Sequence, residues 1–185
     1  MEKRKVDTKK LAMMGMLTAL SVVLVAVIHF PIFPAAAFLE YDPADIPIFI
    51  GTFLFGPVSG LAITLVASTI QGLTVSVAAG PIGIIMHFLS TGSFVIVAGL
   101  IYKKGKSLKR AIIALAAGTL TMTLAMVICN LVFTPIFMGA PMESVIEMLL
   151  PVIVPFNLMK AGVNSVITYL VYKPTSKFVH RILNK

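Results

Sequence analysis

The sequence predicts an all-α integral membrane protein: a six-helix bundle with its N- and C-termini on the cytoplasmic side. Three observations carry that reading. First, 58% of the 185 residues are hydrophobic and 12% are charged, against roughly 45–50% and 25% in ordinary globular chains. A soluble domain of this length has too much surface to hide so much apolar area, whereas a bilayer accommodates it. Second, apolar runs close to the ~20 residues that cross a hydrocarbon core alternate with Pro/Gly turns and charged connections. Third, fourteen of the fifteen basic residues fall in three clusters: Lys3, Arg4, Lys5, Lys9 and Lys10; Lys103, Lys104, Lys106, Lys109 and Arg110; and Lys173, Lys177, Arg181 and Lys185. Basic connections stay in the cytoplasm, so both ends and the 103–110 loop belong inside. Five of the seven acids (Glu40, Asp42, Asp45, Glu143 and Glu147) lie away from these clusters.

The spans follow in order. Residues 11–30 form the first, too long for a signal-peptide core and without a clear small-residue cleavage site. Pro31 and Pro34 stop it and open an outer segment, 35–45. Residues 46–55 are a short second span. Ten residues of helix reach only about 15 Å, but an even number of spans must separate two cytoplasmic segments. Gly56-Pro57 is an inner turn, and span three runs 58–78 to the break at Ala79-Gly80-Pro81. Span four is 82–102 and span five 111–134. Pro135 begins an outer connection carrying Pro141, Glu143 and Glu147, with a short helix in the interface. Span six, 151–172, closes at Lys173-Pro174. No repeat or soluble module is visible, so residues 1–185 form one transmembrane domain, with 31–45 as an outer lid.

Polar residues inside spans carry the functional signal, because a charge at mid-bilayer costs about 2.5–3.5 kcal/mol on insertion scales. Lys160 is the one basic residue well inside a span. An intramembrane charge reads by default as a functional group facing the interior. The competing reading pairs it with an acid descending from Glu40, Asp42 or Asp45. Asn157 and Asn164 lie three residues before and four after it, on one helical face. Asn130 in span five lies at a similar depth to Asn157. Two amides and an ammonium supply donors and an acceptor for a planar ligand with a polar edge. Asn164, one turn deeper, reads instead as inter-helix glue. Gln71 and His87 are singletons without an identifiable partner, and the eleven Met residues read as adaptable packing. Gly15 and Ala19 form a small-xxx-small pair that admits a close helix, internal or from another subunit.

Several functions are disfavoured. There is no nucleotide-cradling GxxxxGK[ST], no GxSxG, no HExxH and no Cys/His metal spacing. No catalytic residue, metal or cofactor is expected, and the chain is not read as an enzyme. The single cysteine, Cys129, excludes an internal disulfide. The net charge of +8 sits on membrane-flanking loops rather than on a basic face of a folded module, so nucleic acid is not a partner. What remains is an apolar shell with a few converging polar groups, the description of a small-molecule pocket.

At this point the residues resemble a known family, the substrate-binding S components of energy-coupling factor (ECF) vitamin transporters, specifically the riboflavin-binding branch. The similarity rests on Gly15-Met-Leu-Thr-Ala19-Leu, Leu39-Glu-Tyr-Asp-Pro-Ala-Asp45-Ile-Pro47, Phe55-Gly-Pro57 with Gly60, Met122-Thr-Leu through Asn130, and Pro155-Phe-Asn157-Leu-Met-Lys160. The family has Ala at both small positions of span one, and Gly15 departs from that without hindering close packing. The resemblance implies a plasma-membrane receptor that captures riboflavin, or FMN and related flavins, from outside. Asn130, Asn157 and Lys160 would bond the flavin, while Leu39, Glu40 and Tyr41 of the lid would complete the substrate-binding set. Gly15 and Ala19 would dock onto a membrane-embedded T component that carries two ABC ATPase subunits. Burying roughly 200 Å² of apolar ring surface would contribute ~5 kcal/mol before costs. An S component for another small vitamin, a solitary facilitator and an intramembrane enzyme remain as alternatives. The riboflavin reading requires residues 130, 157 and 160 to face a common cavity.

Overall fold

The computed structural model describes residues 8–33, 36–139 and 141–183. The first and last basic residues of the chain, and Pro34 and Ala35 of the expected lid, lie outside them. Helix α1 is Thr8–Val27. It ends three residues earlier than expected because Pro31 forces the residue before it to be extended. Phe30–Pro31 (β1) instead pairs antiparallel with Glu40–Tyr41 (β2), Phe30 opposite Tyr41 and Pro31 opposite Glu40. The outer segment is therefore a small hairpin.

Helix α2 is Asp45–Phe55. Its eleven residues span only about 16 Å, and it is apolar on every side. Such a helix is stable when it is surrounded. It packs against α1, against α3 (Pro57–Thr74), against α4 (Gly80–Lys103) and against α7 (Val154–Leu183). Every side chain from Asp45 to Phe53 is buried. The outer segment thus ends before Asp45, which belongs to the first turn of α2 rather than to an exposed loop.

Gly56, at φ 89°, ends α2 and starts α3, with Pro57 at the first helical position. One turn on, Gly60 admits a close approach of α2, α3 and α4, since a Cβ there would collide with Thr52 and lie 2.7 Å from a Val95 methyl. Stacked against each other at 3.6 Å, the rings of Phe49 and Phe94 join α2 to α4 at the centre of the core.

Helix α3 stops at Thr74, short of the expected residue 78. Thr74, Val75 and Val77 are β-branched and resist helical χ1. The Ser76 amide bonds back to Gln71, and a 3-10 turn over Val77–Ala79 leads into α4.

Two prolines expected to end spans do not. Helix α5, Leu108–Met138, runs through Pro135 to a left-handed cap at Gly139, whose amide bonds to the Pro135 carbonyl. Helix α7 runs through Pro174, where Thr175 Oγ1 donates to the Val171 carbonyl 2.8 Å away. Proline costs one backbone bond, and in membrane helices neighbouring side chains and local adjustments offset it. Between α5 and α7 come the short helix α6, Met142–Met148, and a π-helical turn, Leu149–Ile153, containing Pro151. The missing Pro151 amide favours such a shift of the hydrogen-bond ladder.

Five helical stretches are long and apolar enough to cross a membrane, and α2 is shorter. On α1, Gly15 and Ala19 are both exposed, and a Cβ at Gly15 would meet nothing within 4 Å. Among the described residues, nothing lies close to the Gly15 side of α1.

Candidate functional site

The hairpin is fixed over one end of the bundle by a second apolar cluster. Ala36 and Leu39 pack with Val145, Ile153 and Phe156, and Phe33 meets the Phe156 ring edge-on. Beneath it are two adjoining cavities that share Phe38, Leu39, Glu40, Met86 and Met126 as common wall. The outer lobe, about 280 Å³, approaches the ~300 Å³ floor of small-molecule sites by itself. It lies between the hairpin, the 3-10 turn, α4 and α5, and Asn130, Thr134 and Phe137 line it. The inner lobe, about 150 Å³, is lined by Asp42, Asp45, Gln71, His87, Asn157 and Lys160 among others.

Residues 130, 157 and 160 all face this space: Asn157 and Lys160 the inner lobe, Asn130 the outer one beyond the shared wall. Asn157 Nδ2 donates to the Ile153 carbonyl, 2.8 Å away, which fixes the amide plane. Among the described residues nothing donates to its oxygen, which is free for a ligand donor. Asn130 is set in the same way, donating to the Met126 carbonyl and accepting from Thr134 Oγ1 at 2.9 Å. Leu39 and Glu40 line both lobes.

Lys160 is both cavity-facing and paired. Its ammonium lies 2.6 Å from Asp42 Oδ2 and 3.3 Å from the Glu40 carbonyl. The competing reading of Lys160 as a partner for a descending acid is thus realised, with Asp42 as the acid. A buried ammonium without that carboxylate would be far more costly. The pair also ties the hairpin to α7.

Tyr41 is outside both lobes. Its ring packs on Phe30, and its hydroxyl donates to Asn164 Oδ1 at 3.1 Å. Burial, and then the neighbouring Asp42 carboxylate, push its phenol above the usual tyrosine range, which keeps the proton on this donor. Asn164 is fully occupied as glue, since its amide nitrogen also meets the Asp42 carbonyl at 3.1 Å and Asp45 Oδ2 at 3.4 Å.

Sequence reasoning offered Asp45 only as a partner for Lys160 and missed its pairing with α4. Its carboxylate is 1% exposed, accepts from Thr91 Oγ1 at 2.8 Å, and lies 3.5 Å from His87 Nε2. His87 and Thr91 stand four apart on one face of α4, and Asp45 opens α2, where an acid suits the helix dipole. Those local signals existed, but nothing in the spacing joined the two helices. Asp42 with Lys160, and Asp45 with His87, Thr91 and Asn164, give the floor of the inner lobe its polarity.

Comparisons with known proteins agree with this architecture. Residues 9–172 match the family described as ECF transporter, substrate-specific component. Riboflavin transporter RibU of Staphylococcus aureus is 34% identical over 182 residues, with 95% of each chain covered. RibU of Streptococcus thermophilus is 30% identical over 95% of this chain and 87% of its own. Riboflavin transporter FmnP of Bacillus subtilis is 29% identical over 89% and 90%. The solved S component of a bacterial ECF transporter superposes with a TM-score of 0.79 at 32% identity, covering 93% of this chain and 98% of that one. This multi-pass membrane protein belongs to the family of substrate-specific components of ECF transporters.

Proposed function

We propose that the chain captures riboflavin from outside the cell for ATP-driven uptake. The observation that carries this reading is the pair of adjoining cavities under the hairpin, Asn157 and Lys160 lining one and Asn130 the other across a shared wall, in a chain about a third identical to a riboflavin transporter. The flat apolar ring system enters between Leu39, Phe38, Met86 and Met126. Its carbonyl and imide edge meets Asn157, Lys160 and Asn130, with Glu40 at the rim. Tyr41 acts through the hairpin, by holding it on Asn164.

In this reading residues 1–185 are one domain that crosses the membrane six times, the enclosed α2 counting as the short crossing. Both termini and the 103–110 loop are cytoplasmic. The hairpin is the outer lid. The exposed Gly15 and Ala19 face of α1 docks onto the T component, which carries two ABC ATPase subunits. The support is the charge distribution and the absence of an internal neighbour at Gly15.

The test is the absorbance of the purified protein, followed by riboflavin titration if it emerges colourless. A flavin spectrum, or saturable quenching of flavin fluorescence at one site per chain, is the expected result. A colourless protein that does not quench riboflavin at any concentration, but binds another small vitamin, would reject the flavin assignment while leaving the family intact.

A further inference from the structure

At the opposite end of the bundle from the hairpin, α5 and α7 part to leave a groove of about 500 Å³. Leu115, Leu120, Val166 and Tyr169 are among the residues lining it. Its polar floor is satisfied internally, with Thr119 Oγ1 and Ser165 Oγ 3.0 Å apart. The opening exists because α7 has no side chain at Gly162, where a Cβ would meet nothing within 4 Å. From residue 112 to 120 on α5 the groove extends about 12 Å along the helix axis.

The groove adjoins a second cavity. Leu115 and Tyr169 line both. That second cavity, about 240 Å³, lies at the basic end of the bundle, and Lys106, Lys173 and Lys177 converge on it together with Ser107 and Tyr172. No carboxylate lines it. Among the described residues none of the three lysines has an ion-pair partner. A basic loop alone is a solvated surface. Three ammonium groups around a cavity that shares Leu115 and Tyr169 with a neighbouring apolar groove form a composite site, with a charged end and a greasy end in the geometry of one amphiphile.

We propose that this composite site binds one anionic glycerophospholipid, the phosphate in the lysine cavity and an acyl chain in the α5–α7 groove. Charge complementarity chooses the occupant. A zwitterionic lipid brings its own cation to a site that already holds three, whereas an anionic lipid neutralises part of that charge at low dielectric. The site is separate from the flavin cavity and from the exposed face of α1, which packs against α2 and α3. A lipid seated here would anchor α5 and α7 to the leaflet at the basic end, cytoplasmic in the orientation proposed above.

Native mass spectrometry of the full chain in detergent tests this, titrating dioleoyl phosphatidylglycerol against dioleoyl phosphatidylcholine. One phosphatidylglycerol adduct is expected, preferred by about 10- to 100-fold, as three lysines near a lipid phosphate provide. K106Q/K173Q/K177Q should abolish the preference. G162L, which adds an isobutyl group at a groove-lining position where the Cβ itself meets nothing within 4 Å, should abolish the adduct. Both variants should still quench riboflavin fluorescence, or whichever ligand the wild type takes, which shows they are folded and keeps this outcome independent of the flavin assignment. Equal binding of the two lipids by the wild type, an adduct unchanged in G162L, or displacement by inorganic phosphate alone would overturn the proposal.

Discussion

Replacing Lys160 by Met separates two roles that the structure superimposes on one side chain. The ammonium is 2.6 Å from Asp42 Oδ2, and the two side chains are 18% and 8% exposed. Removing one partner of a buried pair costs about 3–5 kcal/mol, because the other charge is stranded. The Glu40 carbonyl also loses a donor at 3.3 Å. Lys160→Met should therefore lower the thermal midpoint markedly. It should also weaken riboflavin binding by about 10- to 150-fold, the equivalent of one charged hydrogen bond of ~1.5–3 kcal/mol. Adding Asp42→Asn removes the stranded charge, so the double variant should regain most of the lost stability. Binding should stay weak, because the ligand's donor is still missing. The assays are thermal unfolding in detergent and titration by flavin fluorescence quenching, on wild type, both single variants and the double. A double variant that recovers stability and affinity together would refute the ligand-contact role and leave Lys160 as a structural cation. A single variant with unchanged stability would refute the salt bridge itself.

Four further outcomes are expected. Asn164→Leu should destabilise by about 2–4 kcal/mol, since Tyr41 Oη, the Asp42 carbonyl and Asp45 Oδ2 each lose a partner; chemical denaturation measures it. Gly60→Leu should prevent α2, α3 and α4 from closing and should sharply reduce folded yield, because even a Cβ collides with Thr52. Gly15→Leu and Ala19→Leu should leave riboflavin binding intact and abolish uptake in cells that hold the T component and ATPases; undiminished uptake would remove α1 as the docking face. For Tyr41, the folded-state phenol is raised above 10.0, so its contribution is complete below the ordinary tyrosine range and is lost as pH rises through the folded value. Unfolding free energy should fall above about pH 10 in the wild type more than in Tyr41→Phe.

The short second helix shows how far a linear pattern reaches. Counting basic loops required a crossing over residues 46–55 even though the run is too short to span by itself. Only the packing of α1, α3, α4 and α7 around it explains why so short an apolar helix persists. Prolines were the main source of misplaced boundaries. Pro135 and Pro174 stop helices in water, where no neighbour supports the broken ladder. Here the left-handed cap at Gly139 and the Thr175 hydroxyl supply backbone bonds close to the breaks. The face carrying Asn157, Lys160 and Asn164 was legible from spacing, and so was the contrast between a cavity-facing Asn157 and a structural Asn164. The choice of Asp42 over Glu40 or Asp45 as the partner of Lys160 was not.

Composition determined, without any coordinates, that this chain lives in lipid, because the energetic cost of charge in hydrocarbon is a local property of each residue. The helical face of α7 was likewise a matter of periodicity. Tertiary structure alone decided that Asp42 descends to Lys160, that Asp45 meets His87 and Thr91 across two helices, and that Gly15 looks outward. Those pairings join residues 42 to 118 positions apart in the chain, and such distant contacts depend on how the helices pack, which no residue's own chemistry encodes.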